Sequence, residues 1–282
     1  MSNLALRILT AVVGIPVVVG LMFLGGWPFA LLVLGVALLS QYEIYVLLEA
    51  AGARPYGIPG LVLGAFVVLQ AMHPPLIYAA VAAVLALLAW FPFEQAGYGL
   101  DEAPGPAGGL ERMSATLFGV VYPAALLSLL LAIRNGRGPA VGEGEAFYLT
   151  LMVFLLVWSS DTCAYFAGRA IGKRPLAPRI SPKKTWAGAV GGVLGAVAVG
   201  VVIKLAALEA LSLMHVVLLG GIASVVGQLG DLAESRMKRL AGVKDSGTLL
   251  PGHGGFLDRF DALILVAPAV YLYLRFVAGL IG

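Results

Sequence analysis

Two short stretches of the chain hold residue types that do chemistry on phosphates. Residues 158–188 carry Asp161, Ser181, Lys183, Lys184 and Thr185; residues 230–261 carry Asp231, Glu234, Ser235, Lys238, Arg239, Lys244, Asp245, His253, Asp258, Arg259 and Asp261. Asp258 and Asp261 stand three apart, so on a helix both carboxylates share a face. Asp231 closes an apolar run at the same level, and the intervening 25 or so residues return the chain, which lets these carboxylates converge. Hard oxygen ligands beside many cations suit Mg²⁺, which is held by one or two carboxylates, waters and substrate phosphates. An Asp at a helix start also has a plain reading, since carboxylates favour helix N-termini; three of them beside eleven cations favour the metal. Lys183, Lys184, Lys238, Arg239, Lys244 and Arg259 pair with phosphate oxygens, arginine bidentately and lysine as a point charge. Gly252-His253-Gly254-Gly255 lets backbone N–H groups approach an anion closely, or is simply a flexible turn. Asp161 sits inside the apolar run 146–167, where an ionisable group is costly and generally functional. Carboxylates for a metal, cations for phosphates and glycines for backbone approach describe phosphoryl or nucleotidyl transfer, which depends mainly on positioning and charge neutralisation.

The rest of the chain must place these groups. Of 282 residues 60% are hydrophobic and 12% charged, half the charge of an ordinary soluble domain. A water-soluble globule and a disordered chain are both excluded. One cysteine, Cys163, excludes an internal disulfide framework and any CxxC site. Apolar runs at 8–24, 27–48, 58–72, 76–91, 115–133, 146–167, 186–206, 215–230 and 261–281 give nine candidate spans, each expected as a helix of about 20 residues. The first run lacks a small-residue cleavage site and is followed at once by another, so it reads as a span rather than a signal peptide. The third and fourth are short and meet at Pro74-Pro75, a turn signal. The fold class expected is therefore all-α, a polytopic membrane protein with about nine transmembrane helices. It forms one integral domain, with N-terminal spans to about residue 145 and catalytic spans from 146 to 282. Residues 92–114 read as a solvated connection.

Lysine and arginine accumulate on the cytoplasmic side of membrane proteins. With nine spans, the N-terminus and the even-numbered connections hold 14 of the 18 basic residues. Only Arg134, Arg137, Lys204 and Arg275 fall on the other side. Both phosphate-directed segments thus face the cytoplasm, flanking the seventh and eighth spans. The physical reading ends at a Mg²⁺-dependent enzyme joining a soluble phosphate compound to a lipid.

At these residues the sequence resembles the phosphatidate cytidylyltransferase (CDP-diacylglycerol synthase) family. The family signature appears as Ser235-x-Met237-Lys238-Arg239, Lys244-Asp245-x-Gly247 and Leu250-Pro251-x-His253-Gly254-Gly255-Phe256-x-Asp258-Arg259-Phe260-Asp261. A second pattern, Ser181-Pro182-Lys183-Lys184-Thr185-x-x-Gly188-x-x-Gly191-Gly192, is present, as is Asp161-x-x-Ala164-Tyr165. The specific likeness covers residues 158–261; the first half matches only in hydropathy and an Arg7-x-x-Thr10 opening. Ala187 departs from the family, which usually has Glu or Gln there.

The resemblance implies that phosphatidic acid attacks the α-phosphorus of CTP directly, giving CDP-diacylglycerol and pyrophosphate. It implies Asp231 and Asp258 as first metal ligands, with Asp261 and Asp245 next, for Mg²⁺ and with room for a second cation. Lys183, Lys184, Lys238, Arg239, Lys244 and His253 would contact substrate phosphates, since an ionised phosphate needs no general base. Ser181, Thr185 and Ser235 are hydroxyl donors or helix caps, and Arg259, Gly254, Gly255 and Asp161 complete the substrate-binding set. The implied partners are CTP, phosphatidic acid and membrane lipids, with no nucleic acid and a homodimer allowed, and the location is the inner cell membrane. Two other readings stay open: a CTP-dependent lipid kinase and, in a different class, a cation transporter.

Overall fold

In lipid every backbone N–H and C=O must be bonded internally, so apolar runs of this length become helices. The computed structural model describes residues 3–95, 108–139, 141–247, 249 and 254–281, and each of the nine runs forms a helix over most of its length. These are α1 (Asn3–Leu24), α2 (Gly26–Ala50), α3 (Gly57–Leu69), α4 (Leu76–Gln95), and a rod Gly108–Asn135. The rod joins α5 (Gly108–Gly119) and α6 (Leu126–Asn135) through a π-helical segment, Val120–Ala125, that contains Pro123. Then come α7 (Glu143–Ile171), α8 (Trp186–Ala207), α9 (Leu213–Leu240) and α10 (Leu257–Leu272), the last extended by a π-helical segment, Tyr273–Val277.

Among the described residues, six elements are long and apolar enough to cross a membrane: α2, the α5–α6 rod, α7, α8, α9 and α10 with its extension. The chain is a multi-pass membrane protein. The 13 residues of α3 rise only about 20 Å at 1.5 Å per residue.

Small residues set the closest helix contacts, as they do where lipid removes any hydrophobic drive between helices. Along α8, Gly188, Gly191, Gly192 and Gly195 recur at three to four residues and lie against Ala164, Ala167, Ser160 and Cys163 of α7. A Cβ on Gly188 would stand 2.8 Å from the Ala164 carbonyl, and one on Gly191 would overlap the Ala167 methyl. The polar bonds Ser160 Oγ–Ser224 Oγ (2.7 Å) and Gln228 Nε2 to the Ala189 carbonyl (3.2 Å) tie α7, α8 and α9 together. Val190, Leu194, Val202 and Leu205 point away from this packing and are exposed, as suits a lipid-facing surface.

Polar contacts mark two opposite ends of the bundle. At one, Arg134 donates to the Met22 and Phe23 carbonyls (2.8 and 3.1 Å), and Asn135 Nδ2 donates to Met72 Sδ (3.3 Å). The Glu209 amide donates to Glu145 Oε1 there (3.2 Å). Gly25, at φ +63°, makes room for the Arg134 guanidinium, which a Cβ would approach to 2.6 Å. At the other end, Arg112 Nε donates to the Arg54 carbonyl (3.0 Å) and the Tyr56 amide to Thr116 Oγ1 (2.7 Å).

The connection between α7 and α8, expected as loop, forms a small antiparallel hairpin of β1 (Pro175–Ala177) and β2 (Ser181–Thr185), with Pro175 opposite Thr185 and Ala177 opposite Ser181. Pro178 and Pro182 keep this stretch extended or turned rather than helical. Thr185 then caps α8, its Oγ1 accepting from the Gly188 amide (3.1 Å).

Candidate active site

The close crossing of α9 and α10 creates the site. Gly230 lets the helices meet: a Cβ there would stand 2.8 Å from the Asp261 carbonyl and 3.2 Å from the Ala262 Cα. Asp231 and Asp261 are therefore neighbours. Glu234, three residues after Asp231 on the same helical face, completes a trio whose ligand oxygens all lie within 4.8 Å of one another.

Two lysines enter this acidic centre. On β2, successive side chains project to opposite faces: Lys183 is exposed, whereas Lys184 is half-buried with Nζ 2.5 Å from Asp231 Oδ2. Lys238, one turn after Glu234, bridges Glu234 Oε2 (2.7 Å) and Asp258 Oδ1 (2.6 Å). Its side chain is only 12% exposed. Ser235 Oγ donates to Asp231 Oδ1 (3.3 Å).

Asp258 is held differently from the trio. Besides Lys238, it accepts the Ser246 amide (3.0 Å) and the Gly255 amide (2.9 Å) on Oδ2. Gly254 has φ +81°, and a Cβ on it would approach Asp258 Oδ2 to 2.6 Å, so glycine is required twice over. The Gly255 N–H expected to face a ligand anion thus binds a carboxylate of the protein itself.

The remaining expected residues surround this core. Asp161 is exposed on the surface of α7, within reach of the charges of Asp231, Lys184 and Arg259. Lys183, Arg239, Lys244, Asp245 and Arg259 are exposed at this end, with Arg239 donating to the Val243 carbonyl (3.1 Å). Ser181 begins β2, half-buried, and Ala187 lies in the first turn of α8. His253 lies outside the described residues.

Three site residues went unchosen in the sequence. Glu234 was legible, since its i+3 spacing from Asp231 repeats that of Asp258 and Asp261. Tyr122, in the π-helical segment, carries a buried hydroxyl with no hydrogen-bond partner among the described residues and neighbours the charges of Asp261, Glu234 and Asp231. Glu43 of α2 is buried against the loop between α9 and α10, accepting Ser246 Oγ (2.8 Å) and the Phe256 and Leu257 amides (3.0 and 2.8 Å). Glu43 carried one signal, an ionisable group inside the apolar run 27–48; Tyr122 carried none.

The donor set fits a divalent cation. Glu234 is 1% exposed, yet its Oε1 has no hydrogen-bond partner among the described residues, a costly state for a buried oxygen. Asp231, Glu234, Asp258 and Asp261 face two ammonium groups, Lys184 and Lys238, and like charges this close repel strongly away from water. All-oxygen ligands suit Mg²⁺ rather than a softer metal.

An acidic centre flanked by lysines, at one end of a helical membrane bundle, defines a multi-pass membrane protein with a concentrated charged site. The chain belongs to the cytidylyltransferase family, which it matches over residues 5–277. It is 39% identical over 281 residues to the phosphatidate cytidylyltransferase of Brucella suis biovar 1 (strain 1330), covering 97% of this chain and 94% of that one. The phosphatidate cytidylyltransferase of Bacillus subtilis (strain 168) is 32% identical over 283 residues, 97% and 98% of the two chains. That of Synechocystis sp. (strain ATCC 27184 / PCC 6803 / Kazusa) is 33% identical over 288 residues, 95% of each.

Proposed function

We propose that this chain transfers the cytidylyl group of CTP to phosphatidic acid, forming CDP-diacylglycerol and pyrophosphate. The observation that carries the reading is the trio Asp231, Glu234 and Asp261 with Lys184 beside it, in a chain of the cytidylyltransferase family. An oxygen of the lipid phosphate attacks the α-phosphorus of CTP; the bond to the β-phosphate breaks, and pyrophosphate leaves with the electron pair. The attacking phosphate is already ionised, so no side chain need remove a proton.

Asp231, Glu234 and Asp261 would hold Mg²⁺, which supplies charge neutralisation for the triphosphate. Asp258 orients Lys238 toward the trio, where its ammonium group offsets the negative charge of Glu234. Lys184, carried by the hairpin, presents its ammonium group to the phosphates beside Asp231. Lys183, Lys244, Arg239 and Arg259 form an exposed basic rim that draws in the nucleotide and the lipid headgroup. Aqueous CTP reaches the centre from the bundle end, while the lipid phosphate already lies at that level.

The site end is assigned to the cytoplasm and the membrane to the inner cell membrane. The 14-to-4 bias of basic residues supports this. A crossing by the short α3 is supported by the contacts at its two flanks, the Tyr56 amide to Thr116 Oγ1 and Asn135 Nδ2 to Met72 Sδ, which lie toward opposite ends of the rod.

Labelled CTP tests the reaction. With label on the α-phosphate, counts should enter the lipid; with label on the γ-phosphate, they should appear in pyrophosphate. Entry of the γ-label into lipid instead would mean a lipid kinase and overturn the reading.

A further inference from the structure

We propose that Glu43, in the α2 span, is a positioning residue for this reaction. It holds the loop between α9 and α10 in the shape that aims Asp258 and Lys238 at the carboxylate trio. The N-terminal spans thus form part of the catalytic unit. The activity arm of this inference rests on the reaction proposed above.

A carboxylate buried in a membrane helix is costly unless its oxygens are bonded. Glu43 is 2% exposed. Its oxygens accept three hydrogen bonds, all from one place: Ser246 Oγ, and the amides of Phe256 and Leu257. The two amides open α10, whose N-terminus has no side-chain cap of its own. Glu43 therefore caps α10 from another helix, where a negative charge meets the positive end of the helix dipole.

The loop is cut to this carboxylate. A Cβ on Gly247 would stand 2.6 Å from Glu43 Oε1, and one on Gly255 would overlap Glu43 Oε2 and Ser246 Oγ. Two glycines of the sequence pattern thus answer to a residue some 200 positions earlier.

Ser246 carries the effect inward. Its hydroxyl goes to Glu43 and its amide to Asp258 Oδ2, which also takes the Gly255 amide. Asp258 holds Lys238, and Lys238 holds Glu234. A continuous chain of bonds runs from α2 to the trio. Among the described residues, the hydrogen bonds of Glu43 go to Ser246, Phe256 and Leu257 and to none of the trio.

Glu43→Gln keeps the size of the side chain but turns half of the acceptor into a donor facing donors. In the full-length purified protein this variant should insert and purify like the wild type. Its kcat should fall about 10–100-fold, the range for residues that orient the groups doing the chemistry, with the KM for CTP changed far less. Amide hydrogen exchange should rise in residues 241–247 and 254–258, and stay unchanged in the 175–185 hairpin. Ser246→Ala should act in the same direction, and the double variant should lose less than the product of the two. A wild-type kcat, or a lower kcat with loop exchange unchanged, overturns the proposal. If the wild type itself makes no CDP-diacylglycerol, the reaction reading fails, and the exchange comparison still decides whether Glu43 holds the loop.

Discussion

Among individual residues, the sharpest contrast is between the two adjacent lysines of β2. Lys184 meets Asp231 at 2.5 Å, while Lys183 stands exposed on the opposite face. Lys184→Ala should reduce kcat/KM by about 10²–10³-fold, the loss typical when one preorganised charge is removed from a transition state. Lys183→Ala should cost about tenfold or less, as a rim contact that mainly steers substrate. Steady-state turnover of both variants checks this, and equal losses would contradict the assignment. Asp231, Asp258, Asp261, Lys184 and Lys238 were legible because charge is rare in this chain and these residues cluster at the ends of apolar runs. The different footing of Asp258 was not. Its partners are the amides of Ser246 and Gly255, and the fold of a loop is not written in the types of its residues. Glu43 could be noticed as a carboxylate inside an apolar run, but its partners could not, because they are some 200 residues away along the chain.

Among elements, glycine decides how near two helices come and hence where carboxylates meet. The pattern Gly188-x-x-Gly191-Gly192 packs α8 against α7, and Gly230 packs α9 against α10. Gly230→Ala places a methyl group against the Asp261 carbonyl and the Ala262 Cα, both backbone atoms, which yield only if α10 moves as a unit. Overpacking of this sort costs about 1–3 kcal/mol. The variant should melt at a lower temperature and also lose activity, because the same shift separates Asp231 from Asp261. Thermal unfolding and turnover together test this; a destabilised variant with undiminished kcat would show that the crossing does not set the site. The helices themselves were plain from hydropathy, since lipid permits little else. Helix contacts were less so, because a glycine reads equally as an anion cradle, a flexible turn or a packing notch. The hairpin was missed because three- and five-residue strands are too short to show a period of two.

For the molecule as a whole, scarcity and concentration of charge tell separate things. A charged share of 12% calls for a membrane, and the crowding of carboxylates and lysines at one end of the bundle calls for phosphate chemistry. The two halves of the chain are not scaffold and enzyme: α2 reaches into the catalytic loop through Glu43, and the α5–α6 rod brings Tyr122 beside the trio. The central claim is that Asp231, Glu234 and Asp261 hold the divalent cation on which cytidylyl transfer depends. Its most direct test is the rate of CDP-diacylglycerol formation as Mg²⁺ is titrated into chelator-treated proteoliposomes, comparing the wild type with Glu234→Gln. The wild type should be inactive with chelator and recover with Mg²⁺. Glu234→Gln, which keeps the shape and removes one ligand charge, should need about 10–100-fold more Mg²⁺ or fail to recover. Full turnover in chelator, or a Glu234→Gln curve that overlays the wild type in both midpoint and maximum, would contradict the account.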